Sequence, residues 1–500
     1  MLIESDFKLI EKEAIKLFGD LELEIIQEIA ERIANVGYAN TVVNNNTAIL
    51  QEMGVLYEDI IGMVASYNES SASQIRKIFE DAGIKTLKRD DTIYKLAGLN
   101  PKGLNPSMIQ LLSATARNTH NNLSRLTLTT ANTSQIQFLK AMNKAYMEVS
   151  TGVKSYSQSI IDTVKEISNQ GAYIEYPSGQ HRSIESAVRT NIITSVNQTS
   201  GRLQELRAEE MQWDLVEVSA HGGARPEHAE WQGKVYSLKG LTKGYKTLEE
   251  GCDYGSITGL CGVNCRHTFF PYYRGSTKIF TNKELTNLKN EKVQYNGEII
   301  SKYEASQIQR KMERQLRQDK KDIAGLQGIL AGNIKDNKLI EDTRTTFSRK
   351  SLTYKAHQRQ LEDFLKQTSF KKDDARVYIG NYNKETKTQI ANVTKIVNKY
   401  NKSDIIGTKV NNVEITEIGE HIISRTYARG LKFEHVEDAL KNPLKYGKIK
   451  EDKQGRRSFS VIGEKVTVYV NPDSGKVTTA HATSSRLAKK LKEIKNENNK

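Results

Sequence analysis

Five side chains able to hold a metal or move a proton crowd into one stretch of the chain: His221, His228, Cys261, Cys265 and His267. Imidazole nitrogens and thiolates are the ligands Zn²⁺ prefers, and four of them in a tetrahedron make a structural site. Cys261-x3-Cys265-x-His267 beside His221-x6-His228 offers such a set, with structural zinc as the cofactor it implies. Gly222, Gly223, Gly259 and Gly262 allow the sharp turns this would need. The spacing is not that of a standard zinc finger, and Cys252 adds a further thiol. A packed, hydrogen-bonded knot of buried Cys and His is therefore the alternative. Neither a carboxylate pair nor a Ser-His-Asp order accompanies the histidines, so both readings are structural rather than catalytic. Trp213 and Trp231, the only tryptophans, are expected to anchor this block.

A second group lies towards the C-terminus. His421, Arg425 and Arg429 fall at i, i+4 and i+8, on one line of a helix expected over 414–428. Beyond it come Arg456, Arg457, Lys465, Thr478, Thr479, His481, Thr483, Ser484 and Arg486. The net charge of this region, about +6, suits a phosphate-rich partner. His481 is in phase with Val477 and Thr479, so a core position is its competing assignment.

These groups must be positioned by a chain too long for one core. Five hundred residues call for two or more domains. Apolar content of 37% and a mean hydropathy of −0.59 fit long solvated helices. The acidic N-terminus has no apolar run, so no signal peptide is expected. No eighteen-residue apolar stretch occurs, so no membrane span is expected. Three clustered cysteines cannot form a disulfide framework, which fits assembly in a reducing cytoplasm. A net charge of +14 points to a polyanionic neighbour.

Residues 1 to about 170 read as helices, from Ile10, Ala14, Ile15 and Phe18 and from Leu23, Ile26, Ile29 and Ile33. Asn44-Asn45-Asn46 and 99–103 read as breaks, and the polar tract 118–134 as loosely packed. A strand and turn over 173–179 precede a helix over 183–207, and 213–275 lose helical period. Charged helices follow over 303–325 and 339–398, the second interrupted at 368–374. After a linker at 383–408, residues 409–498 read as a compact α+β unit: two helices, an antiparallel meander (446–450, 457–462, 465–471, 476–482) and a final helix from Arg486. The fold class is thus multidomain: a mostly α region over 1–382 with a small irregular β block at 171–275, then the α+β unit.

The run from Asp214 to Ser237, with His221-Gly222-Gly223-Ala224-Arg225-Pro226-Glu227-His228 at its centre, resembles the phage minor capsid protein family related to Mu-type head-morphogenesis proteins. Ala187-Val188-Arg189-Thr190-Asn191, Val196-Asn197-Gln198-Thr199, Leu260–His267 and the Tyr303–Arg314 helix carry the same resemblance, which spans about residues 1–382. It implies a virion component of the phage head, assembled in the host cytoplasm. Its implied partners are the portal and capsid or scaffold proteins, with packaged DNA nearby. The C-terminal unit is similar to the barnase, colicin and RelE-type ribonuclease toxins, on His421-x3-Arg425, Asn442-Pro443, Val468-x-Val470-Asn471 and Thr478–Ser484. That likeness implies an RNA substrate, an immunity protein and metal-independent cleavage. His421 and His481 would move protons, Arg425 and Lys465 would clamp the phosphate, and Thr479 or Ser484 would donate hydrogen bonds to it, with Arg429, Arg456, Arg457 and Arg486 holding substrate. The alternative is a purely structural protein whose C-terminal module binds DNA or a capsid partner without catalysis.

Overall fold

Helices carry most of the chain. The computed structural model describes residues 1–36, 42–373, 377, 384–452 and 454–497, with positions 42–46 described by backbone alone. α1 (Glu4–Phe18) and α2 (Leu21–Val36) form because Phe7, Ile10, Ala14 and Phe18, then Leu21, Ile25, Ile29 and Ile33, recur at helical spacing and are buried together. The long helices α3 (Val42–Leu96) and α4 (Pro106–Ser150) pack on each other. Asn105 starts α4 by accepting the Met108 N–H at 2.9 Å, with Pro106 in the first turn. α5 (Tyr156–Gln170) and the hairpin β1 (Tyr173–Glu175)–β2 (His181–Ser183) lead into α6 (Ile184–Glu210), where Ile184, Val188, Ile192 and Val196 are all buried.

Two expectations fail here. Asn44-Asn45-Asn46 lies within α3 and breaks nothing. The tract 118–134 is not loose, because Leu123, Thr127, Thr130, Ala131, Thr133 and Ser134 are buried in α4. Several of its hydroxyls find carbonyl partners, although those of Thr130 and Ser134 do not. Thr127 Oγ1 donates to the Leu123 carbonyl at 2.8 Å and Thr133 Oγ1 to that of Tyr173 at 3.0 Å. Small residues with self-paired hydroxyls let helices approach as closely as apolar ones do.

The central block has β3 (Leu215–Val218) between β4 (Val235–Ser237) and β5 (Phe269–Pro271), all antiparallel, with short α7 (Pro226–Ala229) and α8 (Leu248–Cys252) in its loops. After α9 (Asn282–Lys289), the hairpin β6 (Lys292–Tyr295)–β7 (Glu298–Ser301) precedes α10 (Lys302–Ala331), which opens on a Ser301–Glu304 capping box. α10 crosses α2, α5 and α11 (Asn337–Thr368).

The expected linker is a helix over most of its length, α12 (Lys384–Asn401), because Ile390, Val393 and Tyr400 give it a buried face. Positions 374, 382 and 383, at the expected interruption and boundary, lie outside the described residues. Next come β8 (Lys409–Val410), β9 (Val413–Glu414) and β10 (Glu417–Ile418), where a helix from 414 was expected; α13 (Glu420–Ala428) begins only after Gly419. α14 (Phe433–Lys441), β11 (Lys445–Tyr446), β12 (Lys450–Glu451), β13 (Arg457–Ile462), β14 (Val466–Val470), β15 (Lys476–Ala482) and α15 (Ser485–Glu497) complete the chain. The expected meander is present over 457–482, but its expected first strand, 446–450, is instead two short strands, β11 and β12, that each pair with β13. β10 adds a parallel strand at the other edge, giving the order β10-β15-β14-β13-β11. Val461, Val466, Val468, Val470, Val477 and Ala480 form a core with Ile422, Val436 and Tyr400, separate from the helical core.

A side chain at Gly328 would put its Cβ 2.3 Å from the Gln27 carbonyl and 2.8 Å from Ala30 Cβ. Gly328→Ala should therefore lower the urea midpoint. Overpacking costs about 1–3 kcal/mol, outweighing the gain of about 1 kcal/mol that alanine brings to an exposed helix. An unchanged or higher midpoint would show that the α2–α10 crossing opens freely.

Candidate metal centre

Of the five candidate ligands, the fold brings three to one point: His228 from α7, and Cys265 and His267 from the loop before β5. All three are buried. The loop that carries the cysteines is folded tightly on itself. A Cβ on Gly262 would stand 2.4 Å from the Ile257 carbonyl oxygen, so only glycine fits there.

Hydrogen bonding fixes which ring nitrogen of each histidine is free. His228 Nε2 lies 2.9 Å from the Thr258 carbonyl, which can only accept, so Nε2 carries the proton. His267 Nε2 lies 3.0 Å from Gln232 Oε1. That oxygen also accepts the His221 backbone N–H at 3.1 Å, which sets the amide orientation and makes His267 Nε2 a donor as well. Burial lowers both imidazole pKa values, His267 most strongly, so both rings are neutral. Their two Nδ1 lone pairs then face each other at 3.4 Å, with Cys265 Sγ 3.9 Å from one and 3.7 Å from the other.

Two acceptors in van der Waals contact need something positive between them. One thiol hydrogen can serve only one lone pair, and the other would stay buried and unpaired. A tetrahedral zinc with Zn–N of about 2.0–2.1 Å and Zn–S of about 2.3 Å separates its ligands by about 3.4 Å (N···N) and about 3.6 Å (N···S). The observed spacings are close to these. Both histidines also donate their outer N–H to a carbonyl oxygen, the usual support for a metal-bound imidazole. Burial pushes the Cys265 thiol pKa up. A bound cation would reverse that shift and hold the thiolate.

Cys261 and His221 stand outside this set. The Cys261 thiol donates to the His267 carbonyl at 3.8 Å. His221 stacks on His267 with centroids 4.3 Å apart, and its Nε2 is buried without a partner. Trp231 packs against His228 and His267 at 4.6 and 4.8 Å, and Trp213 donates to the Leu215 and Tyr272 carbonyls. Asn197, buried on α6, donates to the Cys265 and His267 carbonyls at 3.0 and 3.1 Å and ties the ligand loop to the helical body. Gln232 and Asn197 both lie in runs that stood out in the sequence, yet nothing in their spacing gave them these roles.

The centre forms the floor of a cavity of about 430 Å³. α10 turns Tyr303, Gln307, Arg310, Arg314 and Arg317 towards it, a single stripe spaced four, three, four and three residues apart. Arg189, Arg225 and Arg266 complete a lining of six arginines.

The C-terminal candidates separate into two groups. His421, Arg425 and Arg429 do share a face of α13, and that face is turned to α11. Arg425 pairs with Glu341 and, at 3.3 Å, with Asp342; Arg429 pairs with Glu341 at 2.8 Å; Arg349 meets His421 Nδ1 at 2.9 Å. Phe347 and Tyr427 stack beside this seam at 5.9 Å. Arg429 also donates to the Ala480 carbonyl and lies close enough to His481 to help burial lower its pKa. Burial, then Arg425, lowers that of His421. His481 is half-buried on the polar face of the sheet beside Tyr469, not in the core, with Thr479 on the same face. Arg456 and Arg457 are instead exposed and paired with Asp452 and Asp473. Ser484 caps α15 by accepting the Leu487 N–H, and Lys465 and Arg486 are exposed.

A family model described as Phage minor capsid protein 2 matches residues 2–366. That span includes the whole centre and its cavity and stops before α12. A structural protein of Lactococcus phage LL-H is 25% identical over 326 residues, covering 62% of this chain and 84% of the relative. No solved structure matches the chain.

Asn197→Ala removes the donor from two buried carbonyls. The expected loss is about 1–3 kcal/mol for the Cys265 carbonyl and less for that of His267, which still accepts from the Cys261 thiol, read as a lower urea midpoint. A midpoint within error of wild type would show that the ligand loop is held without α6.

Proposed function

The chain belongs to the phage minor capsid protein 2 family, and from that premise we propose that it is a structural component of the head that sits beside the portal. It is a virion protein; its neighbours in this reading are the portal and capsid or scaffold proteins, and it is made and assembled in the host cytoplasm. The observation that carries a building role is how the C-terminal cations are spent. Arg425 and Arg429 face Glu341 and Asp342 across the α11–α13 seam, where they dock one part of the chain on another. Among the described residues no helix is long and apolar enough to cross a membrane. Cross-linking mass spectrometry of intact heads should join this chain to the portal. Cross-links confined to tail proteins would overturn that placement.

The central block, in this proposal, is fastened by a structural zinc on His228, Cys265 and His267. The facing lone pairs support it. Purified protein should carry about one equivalent of zinc, and Cys265→Ser or His228→Gln should lose it along with thermal stability. Metal-free protein with an unchanged melting curve in chelator would leave only the packed knot.

A second reading keeps the C-terminal unit as a metal-independent ribonuclease effector that travels with the packaged genome and is restrained by an immunity protein. Its support is that His421, Arg425, Arg429 and His481 lie along one path, with both imidazole pKa values lowered so that each ring can accept a proton. The same seam engages Arg425 with Glu341 and sets Arg349 against the still exposed His421, so the docked form would be held back. Glu341→Lys should then release cleavage of total RNA in chelator, and His421→Ala in that background should reduce it about 10²–10⁴-fold. Uncut RNA with both the wild-type and Glu341→Lys proteins would retain the structural reading alone.

A further inference from the structure

We propose that the arginine-lined cavity above the His–Cys centre is a binding site for a nucleotide. The site goes beyond the head-building role, and its arginines are distinct from the candidate metal ligands. Six arginines line it against two carboxylates, Glu185 and Glu313. A third carboxylate, Glu11, pairs from behind with Arg189 and Arg266, while Arg317 and Arg189 share Glu185. Glu4, close enough to feel Arg266 and His221, is itself paired with Lys8. The lining therefore keeps an excess of positive charge. Arg225 donates to the Val263 carbonyl at 2.9 Å and has no carboxylate partner among the described residues; Arg314 is exposed and has no partner among them.

Guanidinium groups converging from α6, α7's leading turn and α10 suit phosphate oxygens, which they bind through paired, charge-assisted hydrogen bonds. A volume of about 430 Å³ is that of a small-ligand site. It is too small for duplex DNA, whose major groove alone is about 12 Å wide. Tyr303, 37% exposed and on the same α10 stripe as Arg310, Arg314 and Arg317, offers a ring face on which a base can stack. Guanidinium groups for phosphates and an aromatic ring in the same lining suit a nucleotide better than a bare phosphate or an acidic peptide.

Calorimetric titration of the full-length protein with ATP, pyrophosphate and an oligoglutamate tests this, with zinc content measured in parallel. ATP should bind more tightly than pyrophosphate, and both more weakly as salt rises. Arg225→Gln and Arg314→Gln should each weaken ATP about 10-fold while zinc content and melting temperature stay at wild-type values. Tyr303→Ala should weaken ATP and leave pyrophosphate unchanged. No saturable ATP binding, or binding unaffected by both arginine substitutions, would overturn the site. Tighter binding of oligoglutamate would assign the cavity to an acidic protein segment instead, and equal binding of ATP and pyrophosphate would remove the nucleoside.

Discussion

The centre of this protein is organised by a conflict between two buried imidazole lone pairs. Each outer nitrogen is committed to a carbonyl oxygen, Thr258 for one ring and Gln232 for the other. Each inner nitrogen is thereby left as an acceptor facing an acceptor at 3.4 Å. Unpaired acceptors in an apolar interior are costly, and the surroundings cannot rotate to relieve them. Asn197 clamps the loop from below, Trp231 packs against both rings, and β5 leaves the loop already paired to β3. α6, α7 and the three-stranded sheet thus pack around two nitrogens that face each other as acceptors.

Much of the helical body was legible from periodicity. Ile184, Val188, Ile192 and Val196 announce a buried stripe and are one. The meander strands 457–462 and 476–482 match residue for residue, because β-branched and aromatic residues there are bounded by turns, although a register shift at Tyr469–Val470 breaks the alternation of the second. What was not legible depended on distant partners. Threonine-rich residues 118–134 look too polar to pack until α3 and the β1 strand are set against them. The helix over 384–401 was expected as far as 398, but its narrow apolar face gave no sign of the C-terminal core it packs beside, so the same stretch also read as a linker.

The candidate sites divide along the same line. Three of the five candidate ligands meet at one point. Cys and His are rare and chemically marked, but the geometry of the two rings rests on Gln232 and Thr258, which carry no such mark. Spacing placed His421, Arg425 and Arg429 on one helical face correctly, yet could not say what that face meets. Glu341 and Asp342, some eighty residues earlier, make the face an interface. The arginines of α10 were visible as charge and not as a lining, since a stripe that faces solvent and one that faces a cavity have the same period.

Helix α11 touches α10 on one side and α13 on the other. Close-packed helices are stiff, and displacement passes through them with little loss. The Glu341 seam and α11 thus join the C-terminal unit to the very helix that forms one wall of the cavity. The chain is therefore packed continuously from its C-terminal unit, through α11, to the helix that carries the arginine stripe.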